Sequence, residues 1–184
     1  SRLQPCVLLT GQSAGILAAV AIQDKCAPRL VSVRKIQDLL LKQKGYLMPY
    51  IDIQANDTAF EAIQKIGATG ILRGFGKKEA WVSKTYFYPD SLCNAQALWK
   101  DLNAFIHFQI ENPFTENIVT ENTLEKIQPV FKKINPSLPK LLHQSKSTPL
   151  TRKQVALWLI KYCDPFSIEV NHFGNLLINN KQIF

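Results

Sequence analysis

The sequence predicts a mainly α-helical protein with a short N-terminal strand and a C-terminal β-hairpin. Over most of the 184 residues, apolar side chains recur three and four positions apart, which is the spacing of one face of an α-helix. Strand-like alternation is confined to the C-terminal part, and one continuous apolar run near the N-terminus has the length of a buried strand. A hydrophobic content of 46% supplies enough apolar material for a globular core.

The N-terminal part predicts one strand followed by two helices. Cys6–Thr10 is apolar on both faces, as in a buried strand, and Gly11 permits a sharp turn. A helix then runs from Gln12 to about Asp24. Pro28 then breaks the chain, and Ser32 is the N-cap of a second helix that ends at Gly45. The apolar face of this helix consists of Val33, Ile36, Leu39 and Leu40.

The central part predicts three further helices and the loops between them. Asn56 or Asp57 caps a helix that ends at Gly67 and buries Ala59, Phe60, Ile63 and Ile66. Gly70–Gly74 predicts a tight turn, and the stretch from there to Pro89–Asp90 is predicted to be irregular. The next helix is predicted from an apolar face of Leu98, Leu102, Phe105 and Ile106. Another is predicted from Leu124, Ile127, Phe131 and Ile134, and Pro129 should kink or split it.

The last helix has the clearest start signal in the chain. Thr151 and Gln154 form a capping box, and Leu150 with Val155 forms a hydrophobic staple. Beyond Pro165 the pattern becomes strand-like, and a turn at Gly174-Asn175 predicts a hairpin. A faint internal repeat aligns Leu92–Ala97 with Leu150–Val155, since both carry a leucine and a glutamine at the start of a helix.

Composition and residue spacing exclude several classes of function. The net charge of +8 comes from scattered lysines and arginines, so the sequence predicts a solvated basic surface and no nucleic-acid site. The longest apolar stretch, Cys6–Ile22, is interrupted by Gly11–Ser13 and falls short of the roughly 20 residues of a membrane span. The four cysteines and three histidines show no metal-ligand spacing, and no catalytic cluster is visible. Reduced, buried thiols are expected, and they leave the compartment open.

The segment after the predicted strand carries the chemical signal. On one side of the helix its first two turns bear only small residues, which are Gly11, Ser13, Ala14, Gly15 and Ala18. Glycine inside a helix costs about 1 kcal/mol relative to alanine, so Gly15 suggests close approach of another backbone or of a ligand. Tight packing of the helix on a sheet, with no ligand, is the alternative. The free N–H groups at the start of a helix would also stabilise an anionic or electron-rich group.

This segment resembles the C-terminal flavin-contact motif of two-domain FAD-dependent oxidoreductases, a stretch that closes the dinucleotide fold. The matching positions are Arg2, Gln4, Cys6, Gly11, Gln12, Gly15, Ala18 and Ala19, while Ser13 replaces the usual alanine. The resemblance implies that the turn at Gly11 and Gln12 lies beside the isoalloxazine ring. It also implies that Gly11, Gln12, Ser13, Gly15 and Arg2 form the cofactor-binding set. Arg2 would face the flavin or an anionic substrate, or it is an ordinary surface arginine.

The FAD site implied by this resemblance is incomplete. No G-x-G-x-x-G occurs in the sequence, so the pyrophosphate would be bound by the N-terminal FAD-binding part of the same protein. We therefore expect a C-terminal fragment of the oxidoreductase that does not hold FAD or act alone. Residues 1–46 are predicted to be the tail of the α/β flavin domain, and residues 47–184 a separate helical domain with the C-terminal hairpin.

The helical domain resembles the S-layer homology repeat between about Tyr50 and Phe166. The first copy shows Gly70–Gly74 and Phe87–Asp90 but departs from the repeat at Cys93-Asn94, and the second keeps Leu150–Gln154. The resemblance implies binding of a cell-wall glycan through Arg152, and a purely structural module is the alternative. The aromatic stretch of Trp81 and Tyr86–Tyr88 either stacks on a sugar ring or packs beneath an irregular loop.

Overall fold

The computed structural model describes residues 4–106, 111–141 and 147–178, and within them the protein is mainly helical. Its α-helices are α1 Gln4–Gln23, α2 Val33–Lys42, α3 Phe60–Thr69, α4 Ala95–Phe105, α5 Glu121–Glu125, α6 Gln128–Ile134 and α7 Arg152–Tyr162. Short 3-10 turns occupy Pro28–Leu30 and Pro165–Ser167, and a two-stranded antiparallel sheet pairs β1 Phe75–Glu79 with β2 Val82–Tyr86. The predicted mainly α fold is confirmed.

The described residues separate into two compact units. The first consists of the chain up to Leu47 together with Ser167–Ile178, and the second of Met48–Phe166. Ser167–Ile178, which the sequence-based prediction places in the domain of residues 47–184, forms hydrogen bonds with residues of the first unit. There the Ser32 hydroxyl donates to the Glu169 carboxylate at 2.9 Å, and Arg34 Nε donates to the Ile168 carbonyl at 3.1 Å.

The predicted N-terminal strand is wrong, because α1 runs without interruption from Gln4 through Gly11 to Gln23. The predicted turn at Gly11 is therefore wrong as well. Val7–Thr10, expected to be buried, are exposed to solvent. A strand needs neighbours for its backbone N–H and C=O groups, and the described part of the chain offers this segment none. A helix satisfies those groups internally, so the apolar run becomes helical.

The boundaries of α2 follow its predicted caps with one shift. The Ser32 hydroxyl accepts the Lys35 N–H at 3.1 Å, which confirms the N-cap. At the other end Lys44 takes the left-handed conformation, with φ 60, and Gly45 N–H donates to the Leu40 carbonyl at 2.8 Å. Gly45 is required by close approach, because a Cβ there would lie 3.0 Å from that carbonyl oxygen.

Helix α3 begins two or three residues later than predicted and ends three residues later. The Asp57 carboxylate accepts the Ala59 N–H at 2.7 Å in the turn before the helix, and Ala59 is the N-cap. The helix ends at Gly70, whose φ of 81 suits glycine, and not at Gly67. Gly67 is buried inside α3, where the ring of Tyr50 packs against it.

The stretch predicted to be irregular contains the only sheet of the described residues. β1 and β2 pair Phe75 with Tyr86 at the base and Glu79 with Val82 at the tip. The sequence does not predict this hairpin, because its strands are rich in lysine and largely exposed and therefore lack alternating apolar residues. The turn residue Ala80 has φ 50, a conformation for which glycine or asparagine would have been the usual signal.

Three chain segments meet in a closed ring of backbone hydrogen bonds at the centre of the second unit. Cys93 N–H donates to the Leu150 carbonyl at 2.9 Å, Leu150 N–H to Val119 at 2.9 Å, and Val119 N–H to Cys93 at 3.0 Å. Each of the three is buried and directly precedes a helix N-cap, which is Asn94, Thr120 or Thr151. The two segments of the faint sequence repeat therefore both begin helices at this ring, but the predicted alignment is wrong by one residue, because Cys93 and not Leu92 is equivalent to Leu150. The structure adds a third segment.

The helices that start from this ring are present, and the last two follow their predicted signals. In α4 the Asn94 side chain accepts the Ala97 N–H at 2.8 Å. The predicted split at Pro129 is present, since α5 ends before it and α6 begins with it in its first turn. The capping box of α7 is formed, with Gln154 Oε1 accepting the Thr151 N–H at 2.8 Å.

The C-terminal turn is formed, but its strands are reduced to one bridge. Gly174 has φ 81, and Val170 and Leu176 form a single antiparallel bridge. Leu177 N–H donates to the Glu169 carbonyl at 2.8 Å. The predicted alternation thus gives a short hairpin-like return.

Candidate functional site

The structure places four of the five predicted cofactor-binding residues on α1. These are Gly11, Gln12, Ser13 and Gly15, while Arg2 lies outside the described residues. Gly11 and Gly15 are exposed together with Ala14 and Ala18, whereas Gln12 and Ser13 are half-buried.

Gln12 and Ser13 are engaged within the first unit. Gln12 Nε2 donates to Gln43 Oε1 at 3.2 Å, and Ser13 Oγ donates to the Leu9 carbonyl at 2.9 Å. Their side chains therefore belong to the packed side of α1, and the predicted set is divided between two sides of the helix.

The two glycines have no packing reason within the described chain. A Cβ built on Gly11 or on Gly15 would meet no atom within 4 Å. Both lie in the interior of α1, where each backbone N–H donates to the carbonyl four residues earlier. The expectation that a helix begins at Gln12 and offers free N–H groups is therefore wrong for this conformation. What α1 offers instead is a bare surface.

This bare surface forms the middle of an exposed apolar face. At 100° per residue, Gly11, Ala14, Gly15 and Ala18 fall within one arc of the helix. Larger apolar side chains continue this face towards both ends of α1, with 65% of Val7, 73% of Leu8 and 79% of Ile22 exposed. The sequence alone could not reveal this exposure, because it gives the same apolar spacing whether or not a partner covers it.

The opposite face of α1 holds the first unit together. Val20, Ala21 and Val31 form its buried core, and partly buried side chains of α1 and α2 pack around them: Ile16, Leu17, Ile36 and Leu39. The exposed face is thus left over after the unit has formed its own core.

Replacing Gly15 with alanine tests how free this surface is. We expect the free energy of unfolding of this chain to rise by about 0.5–1 kcal/mol, because alanine is the better helix former and meets no atom. Urea denaturation followed by circular dichroism measures the change. Gly45→Ala is the matched contrast and should destabilise, since its Cβ would lie 3.0 Å from the Leu40 carbonyl oxygen. A loss of stability in Gly15→Ala would mean that α1 packs against something here.

A second candidate site lies in the second unit, beside Arg152. An open cavity of about 390 Å³ is lined by Phe75, Tyr88, Leu92, Asn94 and Arg152 among others. The rings of Phe75 and Tyr88 lie 5.7 Å apart and are 51% and 39% exposed, respectively. The cavity therefore has an aromatic rim with a buried cation beside it.

Arg152 itself is a structural clamp. Its Nε donates to the Phe87 carbonyl at 2.7 Å, and one terminal nitrogen donates to the carbonyls of Leu72 at 3.2 Å and Arg73 at 2.9 Å. The guanidinium also lies 4.7 Å from the ring of Phe87 and 4.9 Å from that of Phe75. Burial lowers the pKa of Arg152.

Two free cysteines of the second unit, Cys93 and Cys163, are buried. Burial raises the pKa of the Cys93 thiol to about 12 and that of Cys163 well above its ordinary value, so neither is a thiolate at neutral pH. In the described ranges, no group of histidine, cysteine and acidic side chains could hold a metal ion. None of the helices described there has the length and apolar character needed to cross a bilayer.

Comparison with known proteins bears on the first of these sites. No curated protein and no solved structure matches the chain. One family model does match, and its match covers α1 and most of α2 with all five predicted cofactor-binding positions. Residues 1–40 are similar to the family described as FAD dependent oxidoreductase.

Proposed function

We propose that the first unit supplies one wall of the flavin site of an FAD-dependent oxidoreductase. The observation that carries the proposal is the match of residues 1–40 to that family, since these residues include Gly11 and Gly15. In this proposal residues 1–46 belong to the flavin domain, and residues 47–184 form an accessory helical domain.

The glycines of α1 support a contact outside the described chain. Each costs about 1 kcal/mol of helix stability relative to alanine, and neither is explained by packing within this chain. A surface that lacks Cβ atoms fits the close approach of a flat ring system or of another backbone. We therefore propose that α1 contacts the flavin through this bare face. Its backbone N–H groups at these positions are already hydrogen-bonded within the helix and cannot donate to the flavin.

The exposed apolar face supports a protein partner as well. Val7, Leu8 and Ile22 would leave water if the N-terminal FAD-binding part of the same protein packed against α1. That part would also bind the pyrophosphate, since the sequence contains no G-x-G-x-x-G. We propose that without it this chain neither holds FAD nor acts.

The roles of this chain at the cofactor would be positioning and exclusion of water. Bound FAD supplies the electron-transfer chemistry. Gly11 and Gly15 would admit the ring, and the apolar side chains that border them would keep solvent away from it. Arg2 is proposed to face the flavin or an anionic substrate.

The test is the flavin content of the protein carrying its FAD-binding part. Gly11→Leu places a large side chain on the bare face, and we expect it to lower the flavin absorbance per protein markedly. Gly76→Leu is the matched control, because Gly76 is exposed in β1 and its Cβ would meet no atom within 4 Å. Unchanged flavin content and spectrum in Gly11→Leu would show that this face is not at the flavin.

A carbohydrate site in the second unit is a second candidate function, favoured by the exposed aromatic rim of the cavity beside Arg152. Sugar rings stack on such faces. Tyr88→Ala should abolish sedimentation of the protein with cell-wall polysaccharide, whereas Tyr46→Ala, on an exposed tyrosine of the first unit, should not. If the unaltered protein does not sediment with the polysaccharide, the carbohydrate site is excluded.

A further inference from the structure

The tip of the β1–β2 hairpin exposes a tryptophan completely. Trp81 is 100% exposed, and its neighbour Val82 is 55% exposed. Tryptophan usually buries a large part of its surface, and isolated exposed apolar residues are ordinary only when smaller and scattered. Two adjacent exposed apolar side chains at the tip of the hairpin form a surface that a partner can desolvate.

The turn that projects Trp81 is strained. Ala80 has φ 50, a left-handed conformation that costs a residue with a Cβ roughly 1–2 kcal/mol. Glycine would relieve the strain. A hollow of about 440 Å³ lies at this tip and is lined by Lys78, Ala80, Trp81, Val82 and Ser83. The conformation thus holds an apolar point beside a shallow, partly basic hollow.

The strands behind the tip carry an excess of positive charge. Lys77 and Lys84 face each other directly across the strands, and like charges in that position repel. Glu79 is shared between them, at 2.7 Å from Lys84 Nζ and 3.4 Å from Lys77 Nζ. Lys78 is exposed on the other face of β1. Three lysines against one glutamate leave two uncompensated positive charges, which an anionic partner would neutralise.

We propose that this hairpin tip binds an anionic phospholipid surface, with Trp81 and Val82 at the interface and the three lysines against the headgroups. The order of residues favours this partner, because the apolar side chains lie at the tip of the hairpin and the lysines follow on both faces of its strands. Tryptophan prefers the membrane interface, and each lysine near an anionic surface strengthens binding by about fivefold. A glycan site would surround the ring with hydrogen-bonding side chains, and here Ala80 and Val82 flank it.

The proposal is tested by sedimentation of the protein with vesicles of phosphatidylcholine, with and without phosphatidylserine. We expect binding only to the vesicles that contain phosphatidylserine, a blue shift of tryptophan emission on binding, and weakening by salt. Trp81→Ser should remove the blue shift and most of the binding. The triple variant Lys77→Gln, Lys78→Gln and Lys84→Gln should weaken binding about a hundredfold.

A matched triple variant separates this site from the net charge of the protein. Lys42→Gln, Lys100→Gln and Lys133→Gln removes the same charge from exposed lysines elsewhere and should leave vesicle binding nearly unchanged. Equal weakening by both triple variants would overturn the proposal, because binding would then follow net charge alone. Absence of binding to phosphatidylserine vesicles would overturn it too, as would binding to cell-wall polysaccharide that depends on Trp81 without binding to vesicles.

Discussion

Replacing Arg152 with alanine is expected to lower the free energy of unfolding by about 3 kcal/mol. The substitution removes the donors to the carbonyls of Phe87, Leu72 and Arg73. It also removes the cation that lies over the rings of Phe75 and Phe87. Because the arginine is 7% exposed, water cannot readily replace the lost donors. The midpoint of urea denaturation, at an unchanged dependence on denaturant, measures the loss.

Two variants separate the clamp from a general effect of charge. Arg152→Lys keeps the charge but cannot supply the planar set of donors, so a smaller yet clear loss is expected. Arg73→Ala removes an arginine whose side chain is 67% exposed and should change stability by less than about 0.5 kcal/mol. If Arg152→Ala were as mild as Arg73→Ala, the three carbonyls would not depend on the guanidinium. Because Arg152 is a clamp, its removal would disturb any carbohydrate site indirectly, and Tyr88→Ala is the cleaner test.

Local signals fixed in a few residues are predictable from the sequence. The capping box of Thr151 and Gln154 and the split at Pro129 each depend on side chains within one or two turns, and both are present. The ring of three segments is harder to recognise, because each segment needs only a buried residue followed by an N-cap. Asn94, Thr120 and Thr151 all serve as N-caps, so the segment at Thr120 can take part with almost no sequence identity to the other two.

Features that depend on neighbours are not predictable in the same way. The apolar run of Cys6–Thr10 suits a buried strand or a helix, and the choice depends on whether strands are available beside it. The same limit applies to the candidate flavin wall. Glycine at positions 11 and 15 indicates a close contact, but only the structure shows that the described chain does not provide one.

Replacing Gly74 with alanine is expected to lower the free energy of unfolding by about 2–3 kcal/mol. The new Cβ would lie 2.5 Å from Tyr50 Cε1 and 2.8 Å from Thr85 Cγ2. Neither group can move away easily. Tyr50 is 2% exposed, and its ring packs 5.4 Å from that of Phe87. The backbone of Thr85 is held by the Ile51 N–H, which donates to the Thr85 carbonyl at 3.0 Å. Gly67 lies against the opposite edge of the same ring, so the tyrosine is held between two glycine backbones.

Gly76→Ala, two residues further along the chain and within β1, is the matched control. Its Cβ would meet no atom within 4 Å, so its stability should stay within about 0.5 kcal/mol of the unaltered protein. In a Tyr50→Ala background the ring is gone, and Gly74→Ala should then cost much less than it does alone. A loss that persists without the ring would place the cause in the backbone conformation of Gly74. Recovery of most of the stability in the Tyr50→Ala background would place the cause in the contact between the new Cβ and the ring of Tyr50.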